Sequence, residues 1–212
     1  MGKLSTGIDI LDTRLDGGFP EGSVVTLIAD PKSTAELFLY DLASTRRTHY
    51  VTTARTEENI VRNLQQLNRD PSDINVVDIT SAEDSDEVDE IVSGMLKEVG
   101  PEDNMIFDTF SDFPNRYGEY NDLLNRVYAT SHRNANITYL YMIQDADDVL
   151  SYDESRVPYM SDIVVRMISS IAGEKVENRL AITKLRGEEP PEKTIKLEIG
   201  TSIEIDTSRD IA

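Results

Sequence analysis

The run Val24 to Ala29 (VVTLIA), bounded by Gly22 and by Asp30-Pro31, constrains the fold more than any other feature of this chain. It does not alternate apolar with polar, so it predicts a strand buried on both faces. Such a strand needs helices above and below its sheet, and helical spacing follows at once at Leu37, Phe38 and Leu42 within Ala35 to Ala43. The unit then repeats. His49 to Thr53 predicts a strand, and Thr56 caps a helix running to about Leu67. Ile74 to Ile79 predicts a strand and Ser81 to Val99 a helix, acidic at its start and ending in Lys97, the order a helix dipole prefers. Met105 to Asp108, Tyr117 to Asn134 and Ile137 to Ile143 continue as strand, helix and strand. This alternation predicts an α/β fold with a mainly parallel sheet flanked by helices. From Ile163 only strands follow (IVVRMISSI, RLAITKL, TIKLEI, SIEID), separated by Gly173, by Glu188 to Lys193 and by Gly200. They predict C-terminal antiparallel strands extending one edge. With no linker and no repeat, residues 1–212 read as a single domain.

Composition narrows the function. The 212 residues include 40 Asp+Glu against 21 Lys+Arg, a net charge of -19, and 39% of them are hydrophobic, enough for a sizeable core. The carboxylates are spread along the chain. Such self-repulsion is tolerated where ~1 M salt screens charge over a few Å, so a salt-loving source is expected, with an acidic mesophilic protein as the alternative. Absence of a basic run argues against binding nucleic acid through phosphates, although a local patch stays open. No apolar run reaches the ~18 residues of a spanning helix and the N-terminus lacks signal-peptide regions, so a cytoplasmic location is expected. Zero Cys excludes disulfides and thiolate metal sites, and His49 and His132 alone do not make a multi-histidine centre. The carboxylate-rich stretch Asp145, Asp147, Asp148, Asp153 and Glu154 lacks the ligand order of a calcium loop and reads as a solvated loop.

In an α/β sheet, phosphate is held at the turn between the first strand and its helix, where N–H groups converge. The functional pattern is GxxxxGK[ST]. Here that turn is Asp30-Pro31-Lys32-Ser33-Thr34-Ala35-Glu36-Leu37. Asp30 and Ala35 stand in place of the glycines, Glu36 in place of the lysine and Leu37 in place of the magnesium-binding hydroxyl. A carboxylate ~4 Å from a phosphate costs roughly 4 kcal/mol at ε of about 20. The loop is therefore not expected to bind nucleotide in the usual manner. Lys32, Ser33 and Thr34 offer turn and cap chemistry, with contact to an anion from another direction as the alternative.

The run LSTGIDILDTRLDGGFPEGSVVTLIA (Leu4 to Ala29) resembles the entry to the RecA-superfamily core of KaiC- and RadA-like ATPases. HYVTTARTEENIVRNLQQL is similar to their second strand and helix, MIFDTFSDF to their Walker B strand, and Lys184-Leu185-Arg186-Gly187 to their K[LM]RG signature. The resemblance implies a RecA-like core across almost the whole chain and, with the acidic composition, a halophilic archaeal origin. It implies that Asp108 corresponds to the magnesium-coordinating carboxylate and Gln144 to a γ-phosphate sensor. The catalytic glutamates of the family fall at Ala54 and Arg55 here, so the base is absent; Glu57 and Glu58 belong to the next helix as dipole-complementing residues. Lys184 and Arg186 correspond to residues that reach a neighbouring subunit's nucleotide, with solvated strand-end charges as the alternative.

The expectation is therefore a non-catalytic pseudo-ATPase, regulatory or scaffolding, acting through a protein partner or homo-oligomer contacts. No cofactor and no metal are expected. The alternatives are an ATP-binding protein with slow or no hydrolysis, with ATP and Mg at Asp108, or a recombination accessory protein. Asp112 to Tyr120, with Phe113, Pro114 and Tyr117, lies where related recombinases face DNA; Arg116 is outnumbered there by Asp112 and Glu119, which favours a protein contact.

Overall fold

The structure, a computed structural model, describes residues 2–113, 120–145, 149–172, 175–199 and 203–205. In chain order the elements are β1 (Lys3–Leu4), α1 (Asp9–Arg14), β2 (Phe19–Pro20), β3 (Val24–Ala29), α2 (Ala35–Ala43), β4 (Thr48–Thr52), α3 (Glu57–Gln66), β5 (Ile74–Asp78), α4 (Ser85–Glu98) and β6 (Asn104–Asp108). After a 3-10 turn at Phe110–Asp112 come α5 (Tyr120–Asn134), β7 (Ile137–Ile143), α6 (Tyr152–Met160), β8 (Ile163–Ala172), β9 (Lys175–Leu185), β10 (Ile195–Ile199) and β11 (Ile203–Ile205).

Every residue of β3 is buried, as its unbroken apolar sequence requires. Its side chains divide between two cores. Val25, Leu27 and Ala29 pack with Leu11, Phe38, Leu39, Ile60 and Leu64 from α1, α2 and α3. Val24 and Ile28 pack with Val92, Leu124, Val127 and Val157 from α4, α5 and α6. The sheet runs β11-β10-β9-β8-β3-β7-β6-β4-β5. Strands β8, β3, β7, β6, β4 and β5 are mutually parallel, so their carboxyl ends, including Ala29, Thr52, Asp108 and Ile143, share one edge.

Two expectations are corrected. The strand starting at Ile163 is not part of the antiparallel extension: it pairs parallel with β3 through Val25↔Ile163 to Ala29↔Met167, and only β9, β10 and β11 add antiparallel. The cause lies just upstream, where Asp153 and Glu154 belong to α6 and not to a loop. Ser151 and Glu154 form a capping box that starts this helix, and the helix carries the chain back so that β8 enters in the direction of β3. Asp147, Asp148 and the segment Pro114 to Glu119, which includes Arg116 and the proposed helix start at Tyr117, lie outside the described residues, as do Gly173 and Gly200.

The long N-terminal motif has a structural use. Asp12 accepts hydrogen bonds from the Thr6 N–H at 2.7 Å and the Thr6 hydroxyl at 2.8 Å, and Lys3 Nζ donates to the Leu15 carbonyl at 2.7 Å. Gly18 has φ +116°, and a Cβ there would stand 2.1 Å from the Leu4 carbonyl oxygen. No L side chain fits that approach without shifting backbone. Gly18→Ala is therefore expected to cost about 3 kcal/mol through strain and displacement of β1, read as a lower urea midpoint at unchanged slope in high salt.

Candidate functional site at the carboxyl edge of the sheet

Asp108 closes β6 at the carboxyl edge and is fully buried. Its Oδ2 accepts the Tyr50 hydroxyl at 2.7 Å and the Arg55 guanidinium, through Nη2, at 3.2 Å. Arg55 Nη1 donates to the Tyr40 hydroxyl at 3.2 Å, which also accepts Asn63 Nδ2 at 3.3 Å. The network ties α2, β4, α3 and β6 together. Thr52 holds the turn that aims Arg55: its hydroxyl donates to the Arg55 carbonyl at 2.9 Å and accepts the Arg55 N–H at 3.1 Å.

Burial raises the Asp108 carboxyl above the usual carboxylate range, opposed by the Arg55 charge and by the Tyr50 hydrogen bond. Burial likewise pushes the Tyr50 hydroxyl well up, with the Asp108 charge adding to it, so this phenol stays a donor. Burial, with the charges of Asp108 and Glu36, pushes the nearby Tyr141 up to about 12. The attraction between Arg55 and Asp108 is of order 5 kcal/mol at ε of about 20, much of it offset by desolvation of the carboxylate. The other oxygen, Asp108 Oδ1, is buried without a hydrogen-bond partner among the described residues.

The turn after β3 is folded upon itself. Asp30 Oδ1 accepts the Lys32 N–H at 2.7 Å and the Asp30 carbonyl accepts the Ser33 N–H at 2.9 Å, an Asx turn. Those N–H groups are thus occupied. Lys32 Nζ reaches Asp145 at 3.2 Å across the edge, and the Gln144 N–H donates to the Ala29 carbonyl at 3.0 Å. Thr34 stands at the N-cap of α2 but makes no side-chain cap bond, and Ser33 Oγ is buried without a hydrogen-bond partner among the described residues, so capping by these hydroxyls is corrected. Ala35 is fully buried, Leu37 packs against the core, and Glu36 on the first turn of α2 adds like charge to Asp108. Pro31 is exposed.

The carboxyl edge therefore gathers Asp30 to Leu37, Arg55, Asp108 and Gln144. It does not gather Lys184 and Arg186. Leu185 pairs with Ile163 and Lys184 with Val164, at the amino end of β8, so these cations lie at the opposite edge of the sheet. There Lys184 Nζ donates to the carbonyls of Pro158 at 3.1 Å and Tyr159 at 2.7 Å, while Arg186 donates to the Met160 carbonyl at 2.8 Å and pairs with Asp162 at 2.9 Å. Both cap the carboxyl end of α6, where cations complement the helix dipole. Burial and the neighbouring Arg186 charge lower the Lys184 ammonium. Beside them opens a groove of about 940 Å³ lined by Tyr128, His132, Tyr159 and Asp162 among others.

Sequence reasoning identified Arg55 only as a missing glutamate and did not find Tyr40, Tyr50 and Asn63. The available signal was the pairing of Thr52 with Asp108 in adjacent parallel strands, which places Tyr50 and the turn after β4 beside the carboxylate. Among the described residues, no group of three or more His, Asp or Glu is arranged to hold a metal ion, and no helix is long and apolar enough to cross a membrane.

The family of unknown function DUF7125 matches residues 3–212. No curated protein matches the chain. A crystal structure of a KaiC-like protein from the hyperthermophilic archaeon Pyrococcus horikoshii OT3 superposes with a TM-score of 0.79 at 17% identity, covering 96% of this chain and 98% of that one. The α/β fold, with its mainly parallel sheet and C-terminal antiparallel strands, is thus a KaiC-like RecA fold.

Removing the Tyr50 hydroxyl in Tyr50→Phe is expected to cost about 2 kcal/mol, the usual value for a hydrogen bond to a charged group, by urea unfolding at neutral pH. Arg55→Met leaves Asp108 buried and uncompensated, at a cost of about 3 kcal/mol at pH 7. The Asp108 carboxyl, already raised above its unfolded value, rises further in this variant. Its folded form then holds a proton that the unfolded form releases, so stability is retained in acid and lost as pH climbs through the folded pKa. The deficit of Arg55→Met against wild type is accordingly expected to shrink as pH falls towards ~4.

Proposed function

This chain belongs to the DUF7125 family, and we propose that it uses its KaiC-like fold as a non-catalytic regulatory or scaffolding protein, acting through contacts with a protein partner or with further copies of itself. One observation carries the reading: the Arg55 guanidinium lies against the carboxylate that a RecA-type fold would offer to magnesium. A divalent ion brought to ~4 Å from that guanidinium meets a repulsion of roughly 8 kcal/mol at ε of about 20. The Asx turn at Asp30 supports the same reading, because it engages N–H groups that a phosphate would need and sets a carboxylate beside the turn. ATP and Mg thus do not fit the residues present, and no step of a reaction is assigned to this edge. Degeneration of the phosphate loop and a halophilic archaeal source are parts of this proposal; Asp30, Ala35, Glu36 and Leu37 motivate the first and the charge of -19 the second.

Lys184 and Arg186 lie at the amino edge, away from their own Asp108 at the carboxyl edge, so any nucleotide they meet is held by a neighbouring molecule. Their bonds to α6 make capping their first duty, and the groove beside them is the surface offered to a partner. A second reading, ATP binding with slow or no turnover, is favoured by Asp108 Oδ1, which is buried without a hydrogen-bond partner among the described residues.

Calorimetry with ATP and Mg²⁺ in ~2 M salt separates the two, since at that ionic strength the acidic surface is screened. No heat is expected up to millimolar ATP on a sample whose folding is verified in the same buffer. Stoichiometric micromolar binding that is lost in Asp108→Ala would establish the second reading instead.

A further inference from the structure

Helices α4 and α5 are successive crossovers that pack into the same core, and each runs from the carboxyl edge of the sheet back to the amino edge. Their last turns enclose a groove of about 280 Å³, away from Asp108. Leu96 and Ala129 give this groove an apolar part, Thr130 a hydroxyl, and Lys97, Arg126 and Arg133 three cations. Among the described residues no carboxylate lines it, in a chain where Asp+Glu outnumber Lys+Arg by 40 to 21.

The three cations are not equivalent. Arg126 is neutralised within the helix pair by Asp89 and by Asp122 at 3.3 Å, and it donates to Ser93 Oγ at 2.5 Å, so it shapes the groove without adding net charge. Lys97 and Arg133 are exposed, and among the described residues neither forms an ion pair. Cations in a last turn often serve the helix carbonyls, as Lys184 and Arg186 do for α6. Here other groups do that: Asn134 Nδ2 donates to the Val99 carbonyl at 2.7 Å and the Glu102 N–H to the Asn134 carbonyl at 3.2 Å. Arg133 Nη2 donates to the Thr130 hydroxyl at 3.3 Å, which leaves that hydroxyl its own proton to donate.

We infer that the groove between α4 and α5 binds the phosphate group of a small molecule, held as a dianion between Lys97 and Arg133. Charge selects the ligand. Two uncompensated cations match a doubly charged anion, whereas a carboxylate would leave one of them unmet. The donors fit as well: an ammonium, the free N–H groups of a guanidinium and a hydroxyl offer separate hydrogen bonds to the several oxygens of a phosphate. Volume points to an ester. At the ~30 Å³ that a water takes in the liquid, the groove holds on the order of nine non-hydrogen atoms, against five in phosphate itself. The remainder lies along Leu96 and Ala129, where a short organic part meets apolar surface. This site rests on neither reading of the Asp108 edge given above, and it lies on the other side of α5 from the groove lined by Tyr128 and His132.

Calorimetric titration of the full chain tests it, in the lowest salt at which circular dichroism stays native, because salt screens exposed charges. The two probes are inorganic phosphate and glycerol 3-phosphate. Saturable binding at one site per chain is expected, with a Kd below ~5 mM. A tighter ester names a phosphate monoester as the occupant and equal affinities name free phosphate; the dianion site stands in both cases. Lys97→Ala and Arg133→Ala, each at an exposed position, are expected to weaken binding at least ~10-fold with circular dichroism unchanged. Arg186→Ala is expected to leave it as it was. No saturable binding of either probe below ~5 mM overturns the inference, as does binding that survives the combined Lys97→Ala and Arg133→Ala change or is lost in Arg186→Ala.

Discussion

Four elements converge on a single buried carboxylate. Asp108 has no access to solvent, and a charge so placed has to be met by a cation, by hydrogen bonds or by a proton. Arg55 and Tyr50 meet it here, and Tyr40 and Asn63 hold Arg55 in turn. The charge of this carboxylate is thereby met from within the chain. In a fold whose strand ends commonly hold ligands, a side chain of the same polypeptide does the neutralising.

The rest of the edge follows the same economy of charge. Asp30 turns its carboxylate onto its own loop, Lys32 is engaged by Asp145, and Leu37 joins the core. At the other edge Lys184 and Arg186 hold the end of α6, so internal bonds engage the charged groups at both edges. These bonds give each of those residues a structural use within its own chain.

Much of the architecture was legible because burial on two faces leaves an unmistakable trace: VVTLIA and ITYLYMI have few polar positions, and both strands lie where they were read. Helix α6 escaped because its start is rich in carboxylates and it carries Pro158 internally, which together look like a loop; only the Ser151 and Glu154 capping box betrays it. Missing that helix also misassigned the direction of β8, since direction depends on what the connection does. At the site, the residue types at Asp30 to Leu37 and at Ala54 and Arg55 were plain from the sequence. That Arg55 would face Asp108 was not, because it depends on strand register and on a turn held by Thr52. The position of Lys184 and Arg186 at the far edge needed the same information.

The central claim is that Arg55 and Asp108 are mutually dependent, the one serving as the other's permanent counter-ion. A double-mutant cycle with Arg55→Met and Asp108→Asn, followed by urea unfolding at pH 7 in high salt, measures that dependence directly. A coupling of at least ~2 kcal/mol is expected, with the double variant more stable than the sum of the single losses allows, because each single change strands a buried polar or charged group. A coupling below ~0.5 kcal/mol, the level of independent sites, would contradict the account and leave the Asp108 carboxylate open to another cation.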